Sequence, residues 1–228
     1  LSIDYVLTVA VSTAAGIAAL TSYFPALGPY RVLLCLVGLG LLMVANLRGL
    51  RSSAQLLSAP TYVFMGAVLT LVVAGLVKLA HGDIGAMASA EQTLRMGEEH
   101  GSLSAISAVL LMRAFSSGCA ALTGIEAISD SVMAFKPIEW RNARRVLSVM
   151  VLLLATMFGG ISVLAQRLGT VYVENGPTLL FQLGDQVFGH HSLMLLLLQA
   201  ATLLILLLAA NTAYADFPRL ANFLAQDG

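Results

Sequence analysis

The sequence predicts an all-α fold, a polytopic bundle of membrane-crossing helices. Hydrophobic residues make up 58% of the 228 residues and charged residues only 11%, about half the charge of an ordinary soluble domain. The mean hydropathy is +0.88. The apolar residues fall into runs of helix-like length, with the charges gathered in the connections between them, and lipid admits only helices or closed barrels. The net charge is zero, so nothing points to nucleic acid.

The apolar runs predict spans at about 1–24, 32–47, 60–80, 103–135, 146–165 and 193–214, within one transmembrane domain covering 1–228. Leu1 opens directly into an apolar run, without an initiator methionine or the basic flank of a signal peptide, so the chain reads as part of something longer. On the first span, Asp4, Thr8, Ser12, Ala15, Gly16 and Ala19 form one small, polar face, which suits close helix approach. Asp4 and Thr8, four apart, point the same way. Asp4 has a second reading as an acid at a helix start, and Thr8 as a hydroxyl bonded back to its own helix.

Pro25, Gly28 and Pro29 predict a tight turn before the second span, and Pro60 suits the first turn of the third. The polar stretch from His81 to Ser102 reads as a solvated loop with one short amphipathic helix. Lys136, Arg141, Arg144 and Arg145 read as a basic loop, with Trp140 at the interface. Pro177 to Phe188 suits a short helix lying over the protein, His190 and His191 a solvated pair, and Pro218 discourages continuation of the last span. Cys35 and Cys119 lie in separate apolar runs and read as small buried hydrophobes. With Arg48, Arg51, Lys136, Arg141, Arg144 and Arg145 inside, the positive-inside rule runs the first, third and fifth spans outward and the others inward.

The fourth span carries the chemistry. Thr123, Gly124, Glu126, Ser129 and Asp130 interrupt an apolar segment at membrane depth. A carboxylate at the bilayer centre costs roughly 3 kcal/mol on insertion scales, so a chain that keeps one faces it to a cavity, a partner or an ion. Gly124 predicts a break near 123–127, which is tolerated where protein or a water-filled cavity satisfies the freed backbone. The alternative is a continuous helix with Glu126 paired to a neighbour.

Asp4-Tyr5-Val6-Leu7-Thr8-Val9-Ala10-Val11-Ser12 resembles the third helix of permeases in the amino acid–polyamine–organocation (APC) superfamily. Ala121-Leu122-Thr123-Gly124-Ile125-Glu126-Ala127-Ile128-Ser129 resembles their discontinuous sixth helix, and Asn211 to Leu220 the end of their eighth. The combination is most similar to the KimA-type potassium–proton symporters. The resemblance implies a partial LeuT-type fold, with this chain holding helices three to eight, and it places Asp4 near the middle of a longer helix. Carried over residue by residue, it implies a cation site at Asp4, Thr8, Thr123 and Glu126. After Ser129 the family tends to have Asn-Gly-Val-Pro, whereas this chain has Asp130-Ser131-Val132-Met133.

The residue chemistry agrees with a cation, since these four side chains offer only oxygen ligands, as alkali ions require. Two carboxylates sharing a site cannot both ionise cheaply, and a bound cation or a proton relieves the repulsion. Potassium uptake coupled to protons, with Glu126 the candidate proton carrier, is the expectation. The alternative is an amino acid or polyamine permease of the same superfamily. Asp4 disfavours a substrate carboxylate but tolerates a polyamine. An enzyme is not expected, for the chain lacks His-Glu-x-x-His and Gly-x-Ser-x-Gly and has no histidine within an apolar run. No cofactor is expected beyond the transported potassium and proton. The expected partners are the lipid bilayer of the cell membrane and a small cation or small molecule, with a homodimer left open.

Overall fold

The computed structural model describes residues 2–47, 54–84, 111, 112, 115, 139–170 and 176–226. All of its regular elements among those residues are helices, and none is a strand. The order is α1 (Ser2–Tyr23), a 3-10 helix (Pro25–Tyr30), α2 (Arg31–Leu47), α3 (Ala54–His81), α4 (Glu139–Leu168), α5 (Leu179–Phe188) and α6 (Leu193–Gln226). Five stretches among the described residues are long and apolar enough to cross a membrane: Tyr5–Tyr23, Pro25–Leu47, Ser58–His81, Trp140–Leu168 and Leu193–Tyr214. Of the expected span at 103–135 only Leu111, Met112 and Phe115 are described, as helix, and the break expected near 123–127 lies outside the described residues.

Several helix ends differ from expectation, and the prolines explain most of them. Pro25, Gly28 and Pro29 wind into a 3-10 helix that runs into α2, so the tight turn is replaced by a helical corner. Pro60 does not open α3 but lies inside it, after a start at Ala54. Pro218 does not end α6, which continues to Gln226. Proline is expected to break helices because it removes a backbone donor, yet membrane helices tolerate it where the freed carbonyl finds another partner. α4 starts at Glu139, so Arg141, Arg144 and Arg145 stand on its first turns and not in a loop. The short helix foreseen at Pro177–Phe188 forms over Leu179–Phe188, with Thr178 as its N-cap.

The chain divides into two units, Leu1–Met87 with Leu164–Gly228, and Ala88–Val163. In the first unit, α1 packs along α6. A Cβ at Gly16 would lie 3.3 Å from Leu203 Cδ1 and 3.4 Å from Leu206 Cβ, while Val9 clusters with Ala210 and Ala213. Residues lower in α1 therefore meet residues higher in α6, and the two helices run antiparallel. α2 closes a third side. A Cβ at Gly38 would lie 3.5 Å from Thr13 Cγ2, and Leu39 and Leu42 pack on the Val9 cluster. The small residues of α1 are what let these backbones approach, since lipid gives no hydrophobic drive for helices to associate.

α5 is fastened at both ends. Ser22 Oγ donates to Ala18 O at 2.7 Å and accepts the Thr178 backbone N–H at 2.9 Å, while Thr178 Oγ1 caps the helix by accepting Phe181 N–H at 3.3 Å. At the far end, Lys78 Nζ of α3 donates to Val187 O at 2.6 Å. A cation at the carbonyl end satisfies a free acceptor and complements the helix dipole. Beneath it, Gly184 faces Leu195 and Leu198 of α6, and Gly75 of α3 faces Leu164 and Val187.

The middle of α4 shows the other extreme. Within Trp140–Leu168 no residue of the most apolar window is buried inside the structure, and Leu152 and Phe158 are 67% and 70% exposed. Such a helix is at home only against lipid or further protein.

Candidate functional site

Of the residues expected at the cation site, Asp4 and Thr8 fall on α1. Asp4 lies in the first turns, with its side chain outside the described residues. Thr8 follows one helical turn later and is half-buried. Thr123, Gly124 and Glu126 lie outside the described residues, so neither the break nor the meeting of the two pairs is on view.

Thr8, like Ser12 one turn later, differs from the other hydroxyls of α1 in one respect. Thr13, Thr21 and Ser22 on the same helix bond back to carbonyls at 2.7, 3.2 and 2.7 Å. Thr70, Thr156, Thr202 and Thr212 do the same on α3, α4 and α6. Among the described residues the Thr8 hydroxyl makes no such bond. Back-bonding is the usual fate of a hydroxyl in an apolar helix; it spends the proton and leaves the oxygen lone pairs open, so the Thr8 oxygen can accept a ligand with or without it.

A cavity of about 390 Å³ opens between α1, α2 and α6 in the first unit, lined by Tyr5, Val9, Leu39, Ala213 and Tyr214 among others. Thr8 does not line it. Its described walls are almost wholly carbon and carry no carboxylate, which is the wrong chemistry for an alkali ion that must replace its water shell with oxygens. Asn46 and Asn211 lie beside the same group of helices. Asn46 Nδ2 donates to Asn211 Oδ1 at 2.8 Å and to Leu42 O at 2.8 Å. The composition of α2 gave no hint of this link, because a single Asn at a helix end also reads as an interfacial residue.

Two further polar features escaped the sequence reading. Gln199 of α6 is 2% exposed, and neither of its amide atoms has a hydrogen-bond partner among the described residues. Burying an unpaired amide costs about 1–3 kcal/mol. It sits within a leucine-rich run, where only its amide group marked it out. His190 is mostly solvent-exposed, as expected of a loop histidine, but its Nδ1 lies 2.8 Å from Asp185 Oδ1 and its ring meets His191 edge-on at 4.4 Å. Among the described residues no group of three or more His, Cys, Asp or Glu is placed to hold a metal. Cys35 is a free thiol of intermediate exposure.

Comparison with known proteins places this arrangement. The amino acid permease family model matches residues 1–228. The potassium transporter KimA of Bacillus subtilis (strain 168) is 45% identical over 227 residues, a match that covers 100% of this chain and 36% of that protein. The chain thus spans about a third of the length of the relative it matches. A whole-chain family match, together with five helices fit to cross a bilayer, makes this a multi-pass protein of the cell membrane. The chain belongs to the amino acid permease family.

Proposed function

We propose that the full-length protein takes up potassium and couples that uptake to protons. The observation that carries the reading is the 45% identity, along the entire chain, to a protein named as a potassium transporter. The local chemistry supports it. Asp4, Thr8, Thr123 and Glu126 would furnish oxygen ligands only. Carbonyls freed at a break beside Gly124 would add neutral oxygens. The paired carboxylates favour one positive charge between them, and alternation of a potassium ion with a proton meets that need.

The family's own description favours a second reading, an amino acid permease. Discontinuous membrane helices offer a half-helix N-terminus to a substrate carboxylate, and an aspartate facing the same pocket would repel it. A polyamine escapes this objection, so cationic substrates are the ones to compare. The deciding experiment is uptake by the full-length protein in cells lacking their own potassium uptake, using radiolabelled rubidium, amino acids and putrescine. Rubidium uptake that potassium competes away, and that rises when the outside is made more acidic, supports the proposal. Amino acid or putrescine uptake without rubidium uptake overturns it.

A further inference from the structure

α4 carries a feature that ion transport does not use. Trp140 and Arg144 stand at its start, and Leu147, Val151, Leu152 and Ala155 continue the same side of the helix toward the membrane interior. Among the described residues they line an open groove of about 770 Å³. Arg141 stacks over the Trp140 ring with its guanidinium carbon 5.1 Å from the ring centroid, and Arg145 adds a further charge beside Arg144. All three arginines are exposed, and none has a carboxylate partner among the described residues. They do not serve the helix itself, since cations in the first turns oppose the dipole.

The geometry points to a binding site for an anionic phospholipid of the cytoplasmic leaflet on this face of α4. The basic residues put the start of α4 on the cytoplasmic side, and clusters of arginine beside a membrane helix attract anionic headgroups. Arginine matches a phosphate with paired hydrogen bonds, and tryptophan sits well at headgroup level. From Arg144 to Ala155 the helix rises roughly 16 Å at about 1.5 Å per residue. That is close to half of a hydrocarbon core about 30 Å thick, so the apolar part of the groove is as long as the acyl chains of one leaflet. Charge at one end and leaflet-length carbon below it are what a phospholipid needs, and a soluble anion would use only the first.

The test places the full-length protein in phosphatidylcholine vesicles that contain increasing brominated phosphatidylglycerol or brominated phosphatidylcholine. Bromine quenches tryptophan on contact, and the signal of Trp140 is the difference between the protein and its Trp140→Phe variant. Half-quenching is expected at an at least threefold lower fraction of the glycerol lipid than of the choline lipid. The combined variant Arg141→Gln, Arg144→Gln, Arg145→Gln is expected to lose this preference while remaining quenched by both lipids. If that variant does not reach the membrane, Arg144→Gln is read alone, with a reduced preference expected. Equal quenching of the parent by both lipids overturns the proposal. So does quenching by neither, which means that another helix or a second copy covers the face. A preference that survives the arginine substitutions overturns it as well.

Discussion

Asn46 and Asn211 join α2 to α6 through a side-chain hydrogen bond of 2.8 Å, with the Asn46 amide also held by Leu42 O of its own helix. Such bonds are worth less in membranes than intuition suggests, about 0.6 kcal/mol on average and at most about 1.7. A double-mutant cycle on Asn46→Leu and Asn211→Leu, read by thermal unfolding in detergent, is expected to return a coupling energy within that range. Strict additivity would mean that the pair contributes no interaction of its own.

Gly16 of α1 packs against α6, with Leu203 and Leu206 within 3.4 Å of where a Cβ would stand. Gly16→Val puts branched bulk into that contact and is expected to lower stability by about 1–3 kcal/mol through overpacking. Gly40, whose added Cβ would meet nothing within 4 Å, is the control. Gly40→Ala should hold or raise the melting temperature, since alanine is the better helix residue by about 1 kcal/mol.

These contacts show what the sequence could disclose. The small face of α1 was legible because glycine and alanine at helical spacing have one obvious use in a membrane, and Gly16 and Ala19 are buried there as that use requires. The helix ends were not legible where proline stood. Pro60 and Pro218 speak against helix locally, but only the surroundings decide whether a freed carbonyl finds another partner. Cross-helix bonds such as Asn46–Asn211 and Lys78–Val187 depend on register between segments far apart in sequence, which no local pattern encodes. Of the candidate site, Asp4 and Thr8 are placed on α1, one turn apart as their spacing requires.

Lys78 stands in the last turn of α3, and its Nζ reaches Val187 O at 2.6 Å and closes the C-terminal end of α5. Lys78→Met keeps the length of the stem and removes the donor. Losing a partly buried cation from a helix C-terminus is expected to cost about 1 kcal/mol, concentrated in α5. Hydrogen exchange should accelerate over Leu179–Phe188 while α1 and α2 keep their protection. Equal protection of α5 in the variant and the parent would show that the packing of Gly184 against Leu195 and Leu198 holds the helix unaided.

The decisive substitutions concern the proposed cation site. Asp4→Asn keeps size and hydrogen-bonding capacity but replaces a charged ligand with a neutral one. Even at an effective dielectric constant near 20, two unit charges about 4 Å apart attract by about 4 kcal/mol, part of which is offset by the cation's lost hydration. A fall in apparent rubidium affinity of at least about tenfold is therefore expected, equivalent to about 1.4 kcal/mol. Thr8→Val removes one neutral oxygen and should cost less. Glu126→Gln separates charge from proton exchange, because glutamine neither gains nor loses a proton across the working pH range. Uptake in that variant should lose its dependence on external pH while retaining measurable rubidium binding. An unchanged affinity in Asp4→Asn would remove Asp4 from the site, and an unchanged pH profile in Glu126→Gln would assign the proton to another group.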